Sequence, residues 1–101
     1  MTAQQGGGAQ YHAEYKIPDG KLVVVDLQVA NGCLAKVQLS GDFFLEPPEV
    51  LTRINAALEG MPKDASVAQL EAAVHSALDA DVSMYGITVA GIAVVVQRAL
   101  A

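Results

Sequence analysis

The chain has 101 residues, enough for one domain with a core of its own, and 52% of them are hydrophobic, with a mean hydropathy of +0.34. The net charge of −5 excludes a surface built to bind nucleic acid or an anionic membrane, because such surfaces need clustered Lys and Arg. The single cysteine, Cys33, excludes a disulfide framework, and no signal peptide or membrane span is recognisable, so we expect a cytoplasmic protein.

Three segments near the start of the chain alternate apolar and polar residues, as β-strands do. Residues 1–10 are small, polar and Gly-rich, which predicts a flexible leader ahead of one domain over residues 11–101. Within that domain the odd-numbered residues are apolar in residues 11–17, 22–29 and 33–40. We therefore predict a three-stranded antiparallel meander with one apolar face.

The constant parity of the three segments determines the predicted turns. If all odd residues face the core, each turn must pair odd residues with odd residues, which requires loops of three residues. We therefore predict loops over residues 18–20 and 30–32. A two-residue loop at Asn31-Gly32 would place core residues of one strand opposite polar residues of the next.

Helical periodicity begins after residue 46. Pro47 and Pro48 suit the start of a helix and Gly60 suits its end, while Ser66 and Gln69 form a capping box for a second helix. Both helices are amphipathic, so their apolar stripes are expected to cover the apolar face of the meander.

The last segment fits either a strand or a helix. Residues 91–96 have strand propensity, whereas Thr88 as an N-cap and the spacing of the apolar residues suit a helix, which we predict. This helix is apolar on nearly all sides, so it needs cover on more than one side. The predicted fold is α+β, a two-layer sandwich in which about three helices cover one face of the meander.

Gly41-Asp42-Phe43-Phe44 separates the strands from the helices. Adjacent side chains of a continuing strand point to opposite faces, so only one Phe can enter the core and the other needs a different apolar partner. That partner is either a helix of this chain or another protein. Asp42 follows a glycine at a strand end, where it typically caps backbone amides, and a single carboxylate is not a metal site.

Lys21 falls on the inner parity of the second strand, beside Ile17. In one interpretation its aliphatic stem lies along apolar surface while the ammonium stays in water. In the other, the cation is held out toward an anionic ligand or partner. The sequence spacing does not bring a set of catalytic side chains together, because His12 and His75 lie on different elements.

Several motifs, in their order and spacing, match a known family. They are Pro18-Asp19-Gly20-Lys21-Leu22, Ser40-Gly41-Asp42-Phe43-Phe44, Pro47 at the start of the first helix, Leu58-Glu59-Gly60, and Tyr85-Gly86-Ile87-Thr88 before the last helix. The run from about residue 15 to residue 100 resembles the small accessory, C-terminal domain of lipoate-protein ligases, which some archaea and bacteria encode as a separate subunit.

The resemblance implies part of an enzyme rather than a whole one. In the family the large domain carries the ATP and lipoate pocket and modifies a lysine of lipoyl carrier domains, and the small domain serves the activation of lipoate to lipoyl-adenylate. It implies a heterodimer with a large catalytic subunit and an indirect link to lipoyl carrier domains. Lipoate, ATP and Mg belong to the complex, and none of them is expected on this chain alone.

The resemblance also suggests roles for the residues singled out above. Lys21 would assist the activation step, and Gly41, Asp42, Phe43 and Phe44 would lie at the interface, together with the apolar last helix. A different class of function fits the same residues, a non-catalytic adaptor whose exposed Phe and apolar helix hold another protein.

Overall fold

The computed structural model describes residues 9–101. Its first three elements form an antiparallel sheet of three strands. The strands are β1, Ala9–Lys16, β2, Leu22–Ala30, and β3, Cys33–Gly41, in the order β1-β2-β3. The predicted meander is confirmed. Because β1 begins at Ala9, the last two residues of the predicted leader belong to the sheet, and residues 1–8 lie outside the described residues.

Three helices and a second sheet, a two-stranded ribbon, follow within the described residues. The elements are β4, Phe44–Glu46, α1, Glu49–Leu58, α2, Val67–Ser76, β5, Ser83–Tyr85, and α3, Val89–Leu100. Helix α1 packs on β3, α3 packs on β1 and β2, and α2 packs on α1 and α3. The predicted α+β sandwich is therefore confirmed, whereas the antiparallel β4-β5 ribbon was not predicted.

The core lies between the sheet and the helices. Val23, Val25 and Leu27 of β2 are buried there, as the parity of the strand predicts. The helices contribute their apolar stripes, in which Ile54 of α1 and Val74 of α2 are fully buried. Ser66 and Gln69 form both hydrogen bonds of the predicted capping box at the start of α2.

The first turn has the predicted length of three residues. The Ile17 N–H donates to the Lys21 carbonyl oxygen at 3.1 Å, and the Gly20 N–H donates to the Ile17 carbonyl oxygen at 2.8 Å. Asp19 takes the left-handed conformation, with φ 59°, after a proline, which is the pattern of a type II turn.

The second turn differs from the prediction. Ala30 pairs with Cys33, so the loop has only two residues, Asn31 and Gly32. Their φ angles of 55° and 77° are those of a type I′ turn, whose twist matches that of the flanking strands. The predicted three-residue loop is wrong because the register argument assumed a regular β3.

A β-bulge in β3 restores the parity that the two-residue turn reverses. Lys36 and Val37 together oppose Leu27, and Lys36 has a left-handed φ of 51°. Before the bulge the even-numbered Leu34 is buried, and after it the odd-numbered Val37 and Leu39 are. The prediction that Cys33 and Ala35 face the core is therefore wrong, since both are partly exposed.

Helix α3 confirms the helical interpretation of the last segment. The Thr88 side chain accepts a hydrogen bond from the Gly91 N–H at 2.9 Å, as expected of an N-cap. The sheet and α2 cover the helix from two sides, and Val95 and Val96 are fully buried. These valines are already buried within the chain, so the expectation that the apolar residues of this helix form a partner interface is wrong for them.

Two side chains, Asn55 of α1 and Glu59 at the C-cap of that helix, close the outer edge of β3. The Val37 N–H donates to Glu59 Oε2 at 3.0 Å, and the Leu39 N–H donates to Asn55 Oδ1 at 3.2 Å. The backbone amides on the outer edge of β3 have no partner strand. The two side-chain oxygens accept from amides that helix α1 would otherwise bury without a hydrogen-bond partner.

We expect Asn55→Ala to lower the free energy of unfolding by about 1 to 3 kcal/mol, because the Leu39 N–H loses its acceptor beneath α1. Urea denaturation measures the change. Thr52→Ala, at an exposed position of the same helix, is the matched control and should shift the free energy by no more than about 0.5 kcal/mol. Equal effects of the two substitutions would contradict the assigned role of Asn55.

Candidate functional site

Three segments meet at the end of the sheet where β2 begins, and we call this region the junction. It consists of residues 21–22, 41–44 and 85–86. The Lys21 N–H donates to the Gly86 carbonyl oxygen at 2.9 Å, and the Asp42 N–H donates to the Leu22 carbonyl oxygen at 3.2 Å. Backbone hydrogen bonds therefore join the three segments, although they are far apart in the sequence.

Two exposed aromatic rings lie side by side on the β4-β5 ribbon. Phe44 pairs directly with Tyr85, and the two side chains are 73% and 54% exposed. They are the two exposed large hydrophobic residues between Ala9 and Ala101. Directly opposed side chains of an antiparallel pair share one face, so the rings form a joint apolar patch, which is typical of an interaction site.

The two phenylalanines have the opposite environments that the sequence predicts. Phe43 is half-buried and packs against the core, whereas Phe44 points away from it. Behind Phe44, the ribbon turns Leu45 and Met84 toward the core, which fixes the ribbon to the rest of the domain. The exposed ring is thus carried by an anchored element.

Lys21 combines a fixed backbone with an exposed side chain. Its N–H and carbonyl oxygen bond to Gly86 and Ile17 respectively, so the peptide units on both sides are held. Within residues 9–101 its ammonium forms no salt bridge, with Asp42 or any other carboxylate. A cation placed this way is available to an external anion, and its exposed position also fits a stem that lies on the protein surface.

Gly41 allows two of the segments to approach each other. Its φ of +145° is one that other residues rarely adopt, and a Cβ there would collide with the Leu22 carbonyl oxygen. That oxygen is the acceptor for the Asp42 N–H. The glycine before Asp42 is therefore required by backbone contact, which places Asp42 beside the start of β2.

A second polar cluster lies on the face of the sheet away from the helices. His12 Nδ1 is 2.7 Å from Asp26 Oδ1, and His12 Nε2 is 3.1 Å from Glu14 Oε2. These hydrogen bonds, that to Asp26 first and that to Glu14 second, raise the pKa of His12 above its ordinary value of 6.5. His12 and Asp26 also line part of an open groove to which residues of β3 and α1 contribute, whereas Lys21 does not line it.

No group of three or more His, Cys, Asp and Glu side chains in residues 9–101 is placed to hold a metal ion. None of the helices in this range has the length and apolar content that crossing a membrane requires.

Comparison with known proteins finds a structural relative. No protein-family model and no curated protein sequence matches the chain. A chain in a solved structure of an archaeal lipoylation system, a bi-partite lipoate protein ligase and its E2 lipoyl domain from Thermoplasma acidophilum, has a similar fold, with a TM-score of 0.69. The alignment covers 92% of this chain and 96% of that chain, at 19% sequence identity. The fold is thus similar to that of one component of this archaeal system.

The structure brings Lys21 and residues 41–44 together in the junction, whereas the sequence predicts no role for Tyr85. Strand β5 has only three residues, which is too short for a period-two pattern to stand out. The signal that could have found it is the Tyr85-Gly86 pair, an aromatic residue followed by a glycine before an N-cap.

The His12 cluster yields a prediction about pH. The folded-state pKa of His12 is raised, so its contribution to stability is present below the unfolded value of about 6.5 and is lost as the pH rises through the folded pKa. NMR titration should give a pKa above 6.5 for His12, and Asp26→Asn should lower it. An unchanged pKa in the Asp26 variant would show that the 2.7 Å contact does not hold the proton.

Proposed function

We propose that this chain is the accessory subunit of a bipartite lipoate-protein ligase, which assists a separate catalytic subunit in the ATP-dependent activation of lipoate. The observation that supports this most is the likeness of fold to a component of the Thermoplasma acidophilum lipoylation system, aligned almost end to end in both chains. Because the alignment covers nearly all of both chains, the matching component is about as short as this chain, which fits a ligase divided into two separate chains. The order of the sequence motifs across the domain supports the same assignment.

The activation step needs positive charge, which Lys21 supplies in this proposal. A carboxylate oxygen of lipoate bonds to the α-phosphorus of ATP, and the bond to pyrophosphate breaks. Negative charge develops on the α-phosphate and on the departing pyrophosphate. An exposed ammonium on a peptide held from both sides can neutralise that charge with little loss of freedom at the moment of reaction.

Asp42 has a positioning role in this proposal. A carboxylate substrate is already ionised at neutral pH, so no side chain has to remove a proton from it. The Asp42 N–H instead bonds to the Leu22 carbonyl oxygen, next to Lys21 in the chain. Asp42 and Gly41 thus fix the segment that carries the lysine.

The ATP and lipoate pocket, with its Mg, belongs to the large subunit in this proposal. The junction offers a single cation and two aromatic rings on an open surface, which suits a contribution to a neighbour's site better than an enclosed pocket of its own. The chain then reaches lipoyl carrier domains only through that subunit. A cytoplasmic heterodimer accords with the single free thiol, Cys33.

The aromatic patch of Phe44 and Tyr85 is the surface that we assign to the large subunit. Both rings are exposed in the isolated chain, and aromatic side chains dominate the binding energy of protein interfaces. Because Tyr85 directly precedes Gly86, whose carbonyl oxygen holds the Lys21 N–H, docking at this patch brings the lysine toward the partner.

We expect Phe44→Ala to weaken binding to a cognate large subunit by about 2 kcal/mol or more, roughly a 30-fold rise in Kd, since the ring is buried only on association. Tyr85→Ala should have an effect of the same order. Calorimetry measures both.

The control for these variants is His75→Ala, an exposed substitution on α2, a helix that packs on α1 and α3. It should leave Kd unchanged, and all three variants should unfold at the urea concentration of the parent, because each removes an exposed side chain. Binding of Phe44→Ala as tight as that of the parent would contradict the assignment of this surface.

We expect Lys21→Ala to lower the rate of lipoyl-adenylate formation by the heterodimer by about 100-fold or more, while transfer from supplied lipoyl-adenylate stays near normal. Only the first half-reaction develops charge on the phosphates of ATP, so the two should separate. Pyrophosphate exchange and carrier-domain lipoylation measure them.

The matched control is Lys63→Ala, which removes an exposed lysine beside Gly32, at the other end of the sheet. Equal losses in both half-reactions would indicate general positioning of the complex. The adaptor function keeps support from the exposed aromatic patch, and it would be favoured if Lys21→Ala and omission of the chain both left adenylation unchanged.

A further inference from the structure

We propose that Gly86 is a positioning residue whose missing side chain sets the direction of Lys21. This inference rests on the proposed function for its effect on catalysis, but its structural part concerns the free chain alone. It gives a role to a residue that lies 65 positions from the lysine in the sequence.

The stem of Lys21 occupies the space that a side chain at residue 86 would fill. A Cβ built on Gly86 would lie 2.5 Å from Lys21 Cγ and 3.2 Å from Lys21 Cβ. The first distance is shorter than real carbon contacts allow, and it involves the base of the side chain rather than its flexible end. Any residue other than glycine at this position therefore displaces the lysine stem.

The same residue holds the lysine by its backbone. The Gly86 carbonyl oxygen accepts the Lys21 N–H at 2.9 Å, and this carbonyl is presented by a backbone with φ +81°, a left-handed conformation that favours glycine. One residue thus fixes both the peptide of Lys21 and the first bonds of its side chain. With the base of the side chain held, fewer conformers of the ammonium compete with the productive one.

Position 86 also connects the lysine to the aromatic patch. Gly86 follows Tyr85, and its Cβ position would lie 3.8 Å from the Cα of Phe43, the residue before Phe44. A partner that binds the two rings therefore contacts segments 43–44 and 85–86, and Gly86 in the second of these lies directly against the lysine stem. The segments that carry the aromatic patch are therefore the same segments that contact the base of the Lys21 side chain.

The test uses Gly86→Asn, because Asn tolerates a left-handed backbone better than other residues and so adds a side chain with the least backbone strain. Adenylate formation by the reconstituted heterodimer is expected to fall by about tenfold or more, and transfer from supplied lipoyl-adenylate to stay within about twofold of the parent. The double variant Lys21→Ala/Gly86→Asn should be no slower than Lys21→Ala alone, since Gly86 acts through the lysine.

The matched control is Gly32→Asn. Gly32 has nearly the same φ, +77°, yet nothing lies within 4 Å of its Cβ position, and it sits in the turn at the other end of the sheet. This variant should adenylate at the parent rate. A loss equal to that of Gly86→Asn would attribute the effect to backbone strain and overturn the inference. A double variant much slower than Lys21→Ala would overturn it as well.

NMR of the free chain separates this inference from the proposed function. Three-bond couplings between the α and β protons of Lys21 should report a single χ1 rotamer in the parent and in Gly32→Asn, and a changed rotamer in Gly86→Asn. Averaged couplings in the parent would overturn the positioning role even if Lys21→Ala abolished adenylation. A fixed rotamer, together with adenylation that neither Lys21→Ala nor omission of the chain changes, would refute the proposed function and leave the structural part standing.

Discussion

The fold depends on keeping the apolar residues of three strands on one face of the sheet. The two-residue turn at Asn31-Gly32 has the twist that a tight hairpin favours, but it shifts the register of β3 by one residue. That shift alone would point the odd-numbered side chains of β3 to the solvent face. The bulge at Lys36 and Val37 turns it back, with Lys36 held in a left-handed conformation. Without that local irregularity, Val37 and Leu39 would face solvent, and helix α1 would lose the apolar surface of β3 on which it packs.

At the other end of the sheet, close packing around Ile17 positions the junction. Its side chain is buried where a Cβ on Gly91 of α3 would collide with it, and where one on Gly20 would lie 2.9 Å from it. Small residues at these positions let the first turn rest directly on the start of α3. The segments that carry Lys21 and Tyr85 are therefore placed by the same core that stabilises the fold, although their own side chains are exposed.

Much of this architecture could be predicted from the sequence, because alternation and helical spacing extend over long segments. The meander, the helices and the opposite environments of Phe43 and Phe44 follow from such patterns. The turn at residues 31–32 could not be predicted by parity, since a bulge costs little and is invisible in the pattern of apolar residues. Tyr85 and Gly86 were missed as site residues because contact with Lys21 comes from tertiary structure, and no local spacing encodes it.

The closed edge of β3 also determines how the sheet can meet other chains. With Asn55 and Glu59 occupying the amides of Val37 and Leu39, strands from a second molecule cannot add there. Of the two edges of the three-stranded sheet, strand pairing is then left to β1, where His12, Glu14 and Lys16 place charge along the strand. Charged side chains on an edge strand oppose aggregation, so a chain with 52% hydrophobic residues is protected at both margins of its sheet by different means.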